Sequence, residues 1–158
     1  MPVRRAIAAD VPELVALLAD YWAFEGIPGF ETARLEALLA SLLRQPALGR
    51  CWVLTQGARL EGYLVVTHVF SLEHGGVMAE VDELYLRADA RARGGGAELL
   101  VAAEQALAAE GCPRLQLQLG ASNERARAFY QRHGYQRRAG YELWDKPLTV
   151  AGAAGSER

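Results

Sequence analysis

Hydrophobic residues recur along the chain at two different spacings, and each spacing predicts its own kind of element. Spacings of three and four residues place apolar side chains on one face of a helix, as from Leu14 to Trp22 and from Leu35 to Leu43. Two more helices are predicted at Gly96–Glu110 and Glu124–His133. Alternating or continuous apolar runs rich in β-branched residues predict strands. The predicted strands are Val3–Ile7, Arg50–Thr55, Leu60–Phe70, Val77–Leu86, Leu115–Leu119 and a final hairpin over Tyr135–Leu148.

The order of these elements, β-α-α-β-β-β-α-β-α-β-β, predicts an α/β chain whose first half is largely antiparallel. It differs from the strict β-α-β alternation of doubly wound nucleotide-binding folds. We find no internal repeat and no linker, so a single domain over residues 1–148 is expected. Residues 149–158 are small, polar and rich in glycine, and they are predicted to form a disordered tail.

Composition narrows the class of protein. The chain has 158 residues, of which 51% are hydrophobic and 23% charged, as in soluble globular proteins. A net charge of −2 gives no overall attraction to nucleic acid. No apolar run approaches the roughly 18 residues that a membrane span needs, and no signal peptide is recognisable, so a cytoplasmic location is expected. Cys51 and Cys112 lack the neighbours of a zinc site or a disulfide framework, so no metal is expected.

The segment from Leu84 to Leu99 carries the clearest chemical signal. A short apolar strand ends at Leu86, a basic and glycine-rich loop follows over Arg91–Gly96, and a helix begins directly after it. Backbone N–H groups of such a loop can converge on an anion, and the positive end of the helix dipole adds to the attraction. Arg91 and Arg93 would add charge and side-chain donors. The alternative is a flexible connection without a ligand, but the two arginines favour an anion site.

Two motifs resemble those of the GNAT superfamily of N-acetyltransferases. The loop Arg91-Ala92-Arg93-Gly94-Gly95-Gly96 is similar to the family's (Gln/Arg)-x-x-Gly-x-(Gly/Ala), and Asn123 to Tyr135 is similar to its Asn-x-x-Ala-x-x-(Phe/Leu)-Tyr-x-x-x-Gly-(Phe/Tyr). The resemblance covers residues 3–148 and extends most closely to the diamine and thialysine acetyltransferases. It implies a mixed, mostly antiparallel sheet splayed between strands 4 and 5, with helices on both faces. Where the family often has Ile, this chain has Gly95, which is expected to loosen the loop.

The resemblance also implies how the chain binds acetyl-CoA. The pyrophosphate would lie on the backbone amides of the loop residues Arg91, Ala92, Arg93, Gly94, Gly95 and Gly96. The pantetheine arm would pair with the backbone of Leu84, Tyr85 and Leu86 like an added strand. Asn123 would donate a hydrogen bond to the pantetheine side as well as cap its helix. A homodimer is expected because dimers are common in such families.

The catalytic residues are assigned in the same way. Tyr130 would act as general acid toward the departing sulfur, and a carboxylate at Asp82 or Glu80 would act as base. Strand alternation places Glu80, Asp82 and Leu84 on one face and Glu83 with Tyr85 on the other, which leaves Glu83 as the third candidate. The residues Tyr21, Trp22, Glu25 and Glu83 are candidates for binding a cationic amine. For Tyr21 and Trp22 the alternative interpretation, that they are core residues of an amphipathic helix, is equally well supported by the sequence.

The expected function is acetyl-CoA-dependent N-acetylation of a primary amine. The acceptor would be a small amine, such as a polyamine, amino acid or aminated metabolite, or a peptide amino group. The alternative is a module that binds an acyl-CoA without turnover; Tyr130 and the strand acids argue against it, because a binder needs neither. Another nucleotide site is excluded, since the loop lacks the Gly-Lys-(Ser/Thr) ending of a P-loop.

Overall fold

The computed structural model describes residues 1–152 and contains five strands and five α-helices over that range. A 3₁₀ turn, Ala8–Asp10, precedes the first helix. The strands are β1 (Val3–Arg5), β2 (Gly49–Gln56), β3 (Arg59–Ser71), β4 (Gly76–Leu86) and β5 (Leu115–Leu117). The helices are α1 (Val11–Glu25), α2 (Thr32–Arg44), α3 (Ala88–Arg91), α4 (Gly95–Ala109) and α5 (Glu124–Arg132).

The five strands form one mixed sheet in the order β1-β2-β3-β4-β5. The first four are antiparallel, and β5 runs parallel to β4 from the pair Ala79–Leu115 to the pair Val81–Leu117. Beyond Val81, β4 continues to Leu86, and no strand within residues 1–152 pairs with it on the β5 side. The sheet therefore splays between β4 and β5, as the resemblance implied.

Helices cover both faces of the sheet, which confirms the expected layers. On one face α1 and α2 pack with Leu14, Leu17 and Leu39 against Val53 and Tyr63. We call this the α1 face. On the other, which we call the α4 face, α4 packs its buried residues against β2, β3 and β4. The buried residues of α4 are Gly95, Gly96, Leu99, Leu100, Ala103 and Leu107.

A β-bulge in β4 changes which residues share a face. Val65 pairs with Glu83 and the next residue, Val66, pairs with Val81, so Asp82 is an extra residue in β4. The pair of Glu80 is Thr67, two residues along from Val65, and paired side chains lie on the same face. Glu80 therefore lies on the α1 face with Glu83 and Tyr85. The predicted grouping of Glu80 with Leu84 is wrong, because simple alternation fails across the bulge.

The predicted final hairpin is also wrong. Residues 135–150 contain no strand. The apolar side chains of this segment are exposed, with Tyr141 at 65%, Leu143 at 74% and Trp144 at 85%. A two-stranded hairpin without a buried hydrophobic face is at best marginally stable. The strand expected over Leu115–Leu119 is shorter than predicted, since its pairing with β4 ends at Leu117.

The described chain forms two compact units, one spanning Met1–Gly120 and a second that begins at Ala121. A single domain over residues 1–148 stays a prediction. Of the predicted disordered tail, residues 153–158 lie outside the described residues. No helix within residues 1–152 is long and apolar enough to cross a membrane.

Candidate active site

The loop between β4 and α4 presents the start of a helix. It contains the short helix α3 and a turn that reverses at Gly94, whose φ of 80° is one that side chains with a Cβ rarely adopt. Helix α4 begins at the next residue. The N–H of Ala97 donates to the carbonyl of Gly94, whereas those of Gly95 and Gly96 donate to no backbone carbonyl within residues 1–152. The helix dipole makes this end positive. Anion binding at this loop stays a prediction, and Gly95 and Gly96 are the loop residues whose N–H groups remain available for it.

Gly95 has a different role from the one expected of it. A Cβ at Gly95 would lie 2.6 Å from Cδ2 of Leu54 and 2.7 Å from Cδ2 of Leu86. The absence of a side chain thus lets the start of α4 lie directly on the sheet. The expectation that Gly95 loosens the loop is wrong, because this position is closely packed.

The side chains of the two loop arginines contact protein groups. Nε of Arg91 donates to the carbonyl of Leu86 at 2.8 Å, and its guanidinium lies between the rings of Phe24 and Tyr85. Nη2 of Arg93 donates to Gln56 at 2.9 Å. The arginines bring positive charge to the loop, as expected, but their side chains also hold the loop to neighbouring elements.

The end of β4 offers free backbone groups toward the splayed side of the sheet. The N–H of Arg87 donates to Glu61 of β3 at 2.8 Å. In an antiparallel pair the N–H and C=O of a residue both point toward the partner strand or both away, and the direction alternates along the strand. The N–H groups of Leu84 and Leu86 therefore point away from β3, toward the side that β5 leaves open after Leu117. An extended ligand could pair there as an additional strand.

Two of the three acids in β4 have both carboxylate oxygens in hydrogen bonds. Glu80 accepts from Nε2 of Gln116 at 3.1 Å and from Nε2 of Gln118 at 2.8 Å. Glu83 accepts from the indole N–H of Trp22 at 2.9 Å and from the hydroxyl of Tyr63 at 2.8 Å. Burial raises the pKa of Glu83, and these two hydrogen bonds oppose that shift. Both carboxylates are thus held in place by neighbouring strands or by α1.

Asp82, in the bulge, differs from both. Its side chain is exposed, and within residues 1–152 its carboxylate accepts no hydrogen bond. Its charge reaches both Tyr21 and Glu83, so Asp82 lies near these two residues. The pKa of Asp82 is raised, chiefly because surrounding protein displaces water and also because of the charge of Glu80. Asp82 therefore follows the last residue of β4 that pairs with β5, and it is the one acid of β4 whose carboxylate accepts no hydrogen bond within residues 1–152.

The last two turns of α1 lie beside these acids. Tyr21 contacts the ring of Tyr85, with centroids 5.8 Å apart. Burial and the nearby charges of Glu25, Glu83 and Asp82 raise the pKa of Tyr21 to about 12, so its hydroxyl stays protonated at neutral pH. Trp22 packs against the core, and its indole N–H donates to Glu83. Its role in binding the acceptor stays a prediction. Glu25 is exposed.

The sequence reasoning missed Gln116, Gln118 and Tyr63 as partners of the acids. The two glutamines stand at alternate positions of a predicted strand, which was a usable signal that they share a face. No such signal existed for Tyr63, since its contact with Glu83 depends on the pairing of β3 with β4. Within residues 1–152, no group of three or more His, Cys, Asp or Glu side chains could hold a metal ion.

The second motif lies in the second unit. Oδ1 of Asn123 accepts from the N–H of Ala126 at 3.1 Å, so its predicted role as helix cap is confirmed. Tyr130 is buried, and its ring contacts those of Phe129 and Tyr135, with centroids 5.1 and 5.4 Å away. The catalytic and cofactor-binding roles of these two residues stay predictions.

Comparison with known proteins gives the family. The profile of the acetyltransferase (GNAT) family matches residues 12–135, which include the loop, the acids of β4 and the segment with Asn123 and Tyr130. The chain belongs to this family. The GNAT protein is therefore an N-acetyltransferase, and amines are the acceptors of enzymes of this kind.

Solved structures agree with this assignment. An integron cassette protein from the mobile metagenome of Cole Harbour Salt Marsh is 30% identical, with a TM-score of 0.82 over 94% of this chain and 91% of that one. A putative acetyltransferase from Arthrobacter sp. FB24 is 25% identical, with a TM-score of 0.80 over 94% and 96% of the two chains. A possible acetyltransferase from Clostridium difficile 630 shares the fold at 15% identity, with a TM-score of 0.84 over 94% and 98%. A comparison with curated proteins found no match.

The raised pKa of Asp82 predicts how the stability of this acetyltransferase depends on pH. The folded chain holds a proton on Asp82 more readily than the unfolded chain does, so ionisation above the unfolded pKa of about 3.9 destabilises the fold. Asp82→Asn removes that charge. We expect its Tm to exceed that of the wild type at neutral pH, and the difference to disappear near pH 3.

Thermal unfolding followed by circular dichroism measures both values. Asp145→Asn is the matched control, since it removes the same charge from an exposed position of the second unit. An equal gain in Tm from Asp145→Asn would show that net charge, rather than the surroundings of Asp82, is responsible.

Proposed function

We propose that the protein transfers the acetyl group of acetyl-CoA to a primary amine by direct attack within a ternary complex. The observation that carries this proposal is the state of Asp82. Its carboxylate accepts no hydrogen bond within residues 1–152, and it lies two residues before the outward N–H of Leu84. A proton acceptor and a binding edge for an extended ligand are thus adjacent on β4.

The backbone of the loop and of β4 fits coenzyme A. The N–H groups of Gly95 and Gly96 would hold the pyrophosphate. Those of Arg91, Arg93 and Gly94, which were also predicted to do so, donate to backbone carbonyls of the loop. Leu84 would pair with the pantetheine arm through its N–H group, and the backbone of Tyr85 would lie alongside the arm. When bound, acetyl-CoA supplies an activated acetyl group as a thioester. The N–H of Leu86 would then polarise the carbonyl of that group.

Asp82 is the proposed general base. An alkylammonium has a pKa of about 10.4, so an amine acceptor arrives mostly protonated at neutral pH and needs a base. Glu80 and Glu83 already use both oxygens in hydrogen bonds to protein groups, so both are committed to structural contacts. Asp82 gives up nothing when it takes a proton, and its raised pKa makes it a stronger base than an ordinary carboxylate.

The acceptor proposed is a small cationic amine. The carboxylates of Asp82, Glu83 and Glu25 all act on the hydroxyl of Tyr21, so negative charge is concentrated around the end of α1. The ring of Tyr21 would offer a face to a cation, whereas that of Tyr85 already carries the guanidinium of Arg91. A panel of polyamines, amino acids, aminated sugars and peptides, assayed by thiol release, would identify the class. Release with peptides alone would contradict a small acceptor.

Binding of acetyl-CoA is the first test. A ligand at 100 times its Kd stabilises the folded state by about 2.7 kcal/mol, and each kcal/mol raises Tm by about 2–4 °C for a chain of this size. We therefore expect saturating acetyl-CoA to raise Tm by about 5–11 °C. Adenosine at the same concentration is the control, because it lacks the pyrophosphate and the pantetheine arm. No shift with acetyl-CoA at millimolar concentration would exclude the proposed donor.

For Tyr130 we propose the role that the resemblance implies, protonation of the departing sulfur. Tyr130→Phe removes only the hydroxyl, so kcat should fall by about 10²-fold while the affinity for acetyl-CoA stays close to that of the wild type. Steady-state kinetics and calorimetry measure the two effects. Tyr135→Phe, which removes a hydroxyl from the neighbouring ring, is the matched control. Unchanged turnover in Tyr130→Phe would refute the general-acid role.

A further inference from the structure

Two arginines around α3 contact two residues of α1 at matched spacing. Nη1 of Arg87 lies 3.9 Å from Oδ2 of Asp20, and the guanidinium of Arg91 lies 5.2 Å from the ring centre of Phe24. Arg87 and Arg91 are four residues apart, as are Asp20 and Phe24, so each pair lies on one side of its own helical turn. The two contacts are thus made side by side between the cofactor loop and α1.

The partners of these contacts point to a purpose beyond core packing. Phe24 is 66% exposed, so it contributes little to the core and its contact with Arg91 lies at the surface. One turn earlier, Tyr21 packs on Tyr85, and Trp22 bonds to Glu83. Tyr21 and Trp22 thus lie between Asp20 and Phe24, so one segment of α1 contacts both the residues beside the acids and the arginines of the loop.

We propose that Arg87 and Arg91 are positioning residues that couple the acetyl-CoA loop to the acceptor side of the site through α1. This proposal rests on the proposed binding of coenzyme A at the loop. When the loop amides engage the pyrophosphate, the two arginines transmit the rearrangement to Asp20 and Phe24. Tyr21 and Trp22 then move with α1, so that the acceptor side is set once the donor is bound.

Trp22 provides a direct measurement. The chain has three tryptophans, so fluorotryptophan labelling gives few fluorine NMR signals, and Trp22→Phe assigns the one of interest. Coenzyme A without an acetyl group serves as an unreactive probe, and calorimetry establishes saturation for each variant. We expect coenzyme A to shift the Trp22 signal in the wild type, and Arg91→Met and Phe24→Leu to lose more than half of that shift at saturation.

The controls separate coupling from structure and from charge. Arg93→Met removes the same charge from the loop, but its side chain contacts Gln56 rather than α1, so it should keep the full shift. Phe24→Leu leaves the loop intact and changes an exposed side chain, so it tests the contact even if Arg91→Met fails to fold. A full shift in Phe24→Leu, or no shift in a wild type that binds coenzyme A, overturns the coupling alone. A wild type that does not bind coenzyme A overturns the proposed function as well.

Discussion

Asp82→Asn is expected to lower kcat/KM by about 10²–10⁴-fold, the range typical of losing a general base. The amide keeps the size of the side chain but cannot take a proton from the ammonium of the acceptor. In the wild type, kcat/KM should fall at low pH as Asp82 is protonated, and this fall should begin at a higher pH than for an ordinary carboxylate because the pKa is raised. In Asp82→Asn this dependence should be absent. Initial rates across pH with saturating acetyl-CoA measure both effects.

The neighbouring acid Glu83 provides the matched control. In Glu83→Gln the side-chain carbonyl can still accept from Trp22, and the amide can donate to the hydroxyl of Tyr63, so the charge is lost while both contacts remain. We expect a smaller loss of activity and an unchanged pH dependence. If Glu83→Gln were as damaging as Asp82→Asn and also removed the dependence on pH, the base would be Glu83.

Gly62→Ala is expected to lower Tm by about 6–12 °C and to abolish binding of acetyl-CoA. A Cβ at Gly62 would lie 2.7 Å from the carbonyl oxygen of Tyr85 and 3.2 Å from Cα of Leu86. These atoms belong to the backbone of β4, so the strands must separate. Overpacking of this kind costs about 3 kcal/mol at the upper end of its usual range, and each kcal/mol lowers Tm by about 2–4 °C. The N–H of Leu86 would be displaced with the strand.

Gly57→Ala makes the same chemical change in the β2–β3 turn. Nothing lies within 4 Å of a Cβ there, and the cost is confined to the positive φ of 60°, about 1–2 kcal/mol. This variant should still bind acetyl-CoA. Thermal unfolding measures the Tm of both variants, and calorimetry measures their binding of acetyl-CoA. Normal binding by Gly62→Ala would contradict the prediction, since β4 could then move without loss of the site.

Local pattern predicted most of the first unit. The apolar spacing from Leu14 to Trp22 reflects burial against the sheet. The first helix ends at Gly26, which adopts a left-handed conformation, and the second ends before Pro46, because a proline disfavours helical conformation in the residue before it. The position of the glycine loop between β4 and α4 was predictable for the same reason. Each of these features depends on residues close together in sequence.

Features that depend on pairing between strands were not predictable. The bulge at Asp82 depends on the register of β4 against β3, and the sequence of β4 alone contains no signal that predicts it. For the same reason the engagement of Glu80 and Glu83 was hidden, and the acids could not be ranked. The prediction of a hairpin after Tyr135 was wrong for a different reason. The composition of this segment is typical of strands, but its apolar side chains, such as Trp144, are exposed and give a hairpin no buried face.

The bulge shifts the alternation of side chains in β4 by one residue. Between Asp82 and the loop, the even-numbered residues Leu84 and Leu86 face α4. Before Asp82, the residue that faces α4 is the odd-numbered Val81. Regular alternation over the whole of β4, without the bulge, would turn Glu80 toward the core beneath α4, where an unpaired charge is very costly. The extra residue at Asp82 is therefore what keeps Glu80 and Glu83 on the same face of the sheet.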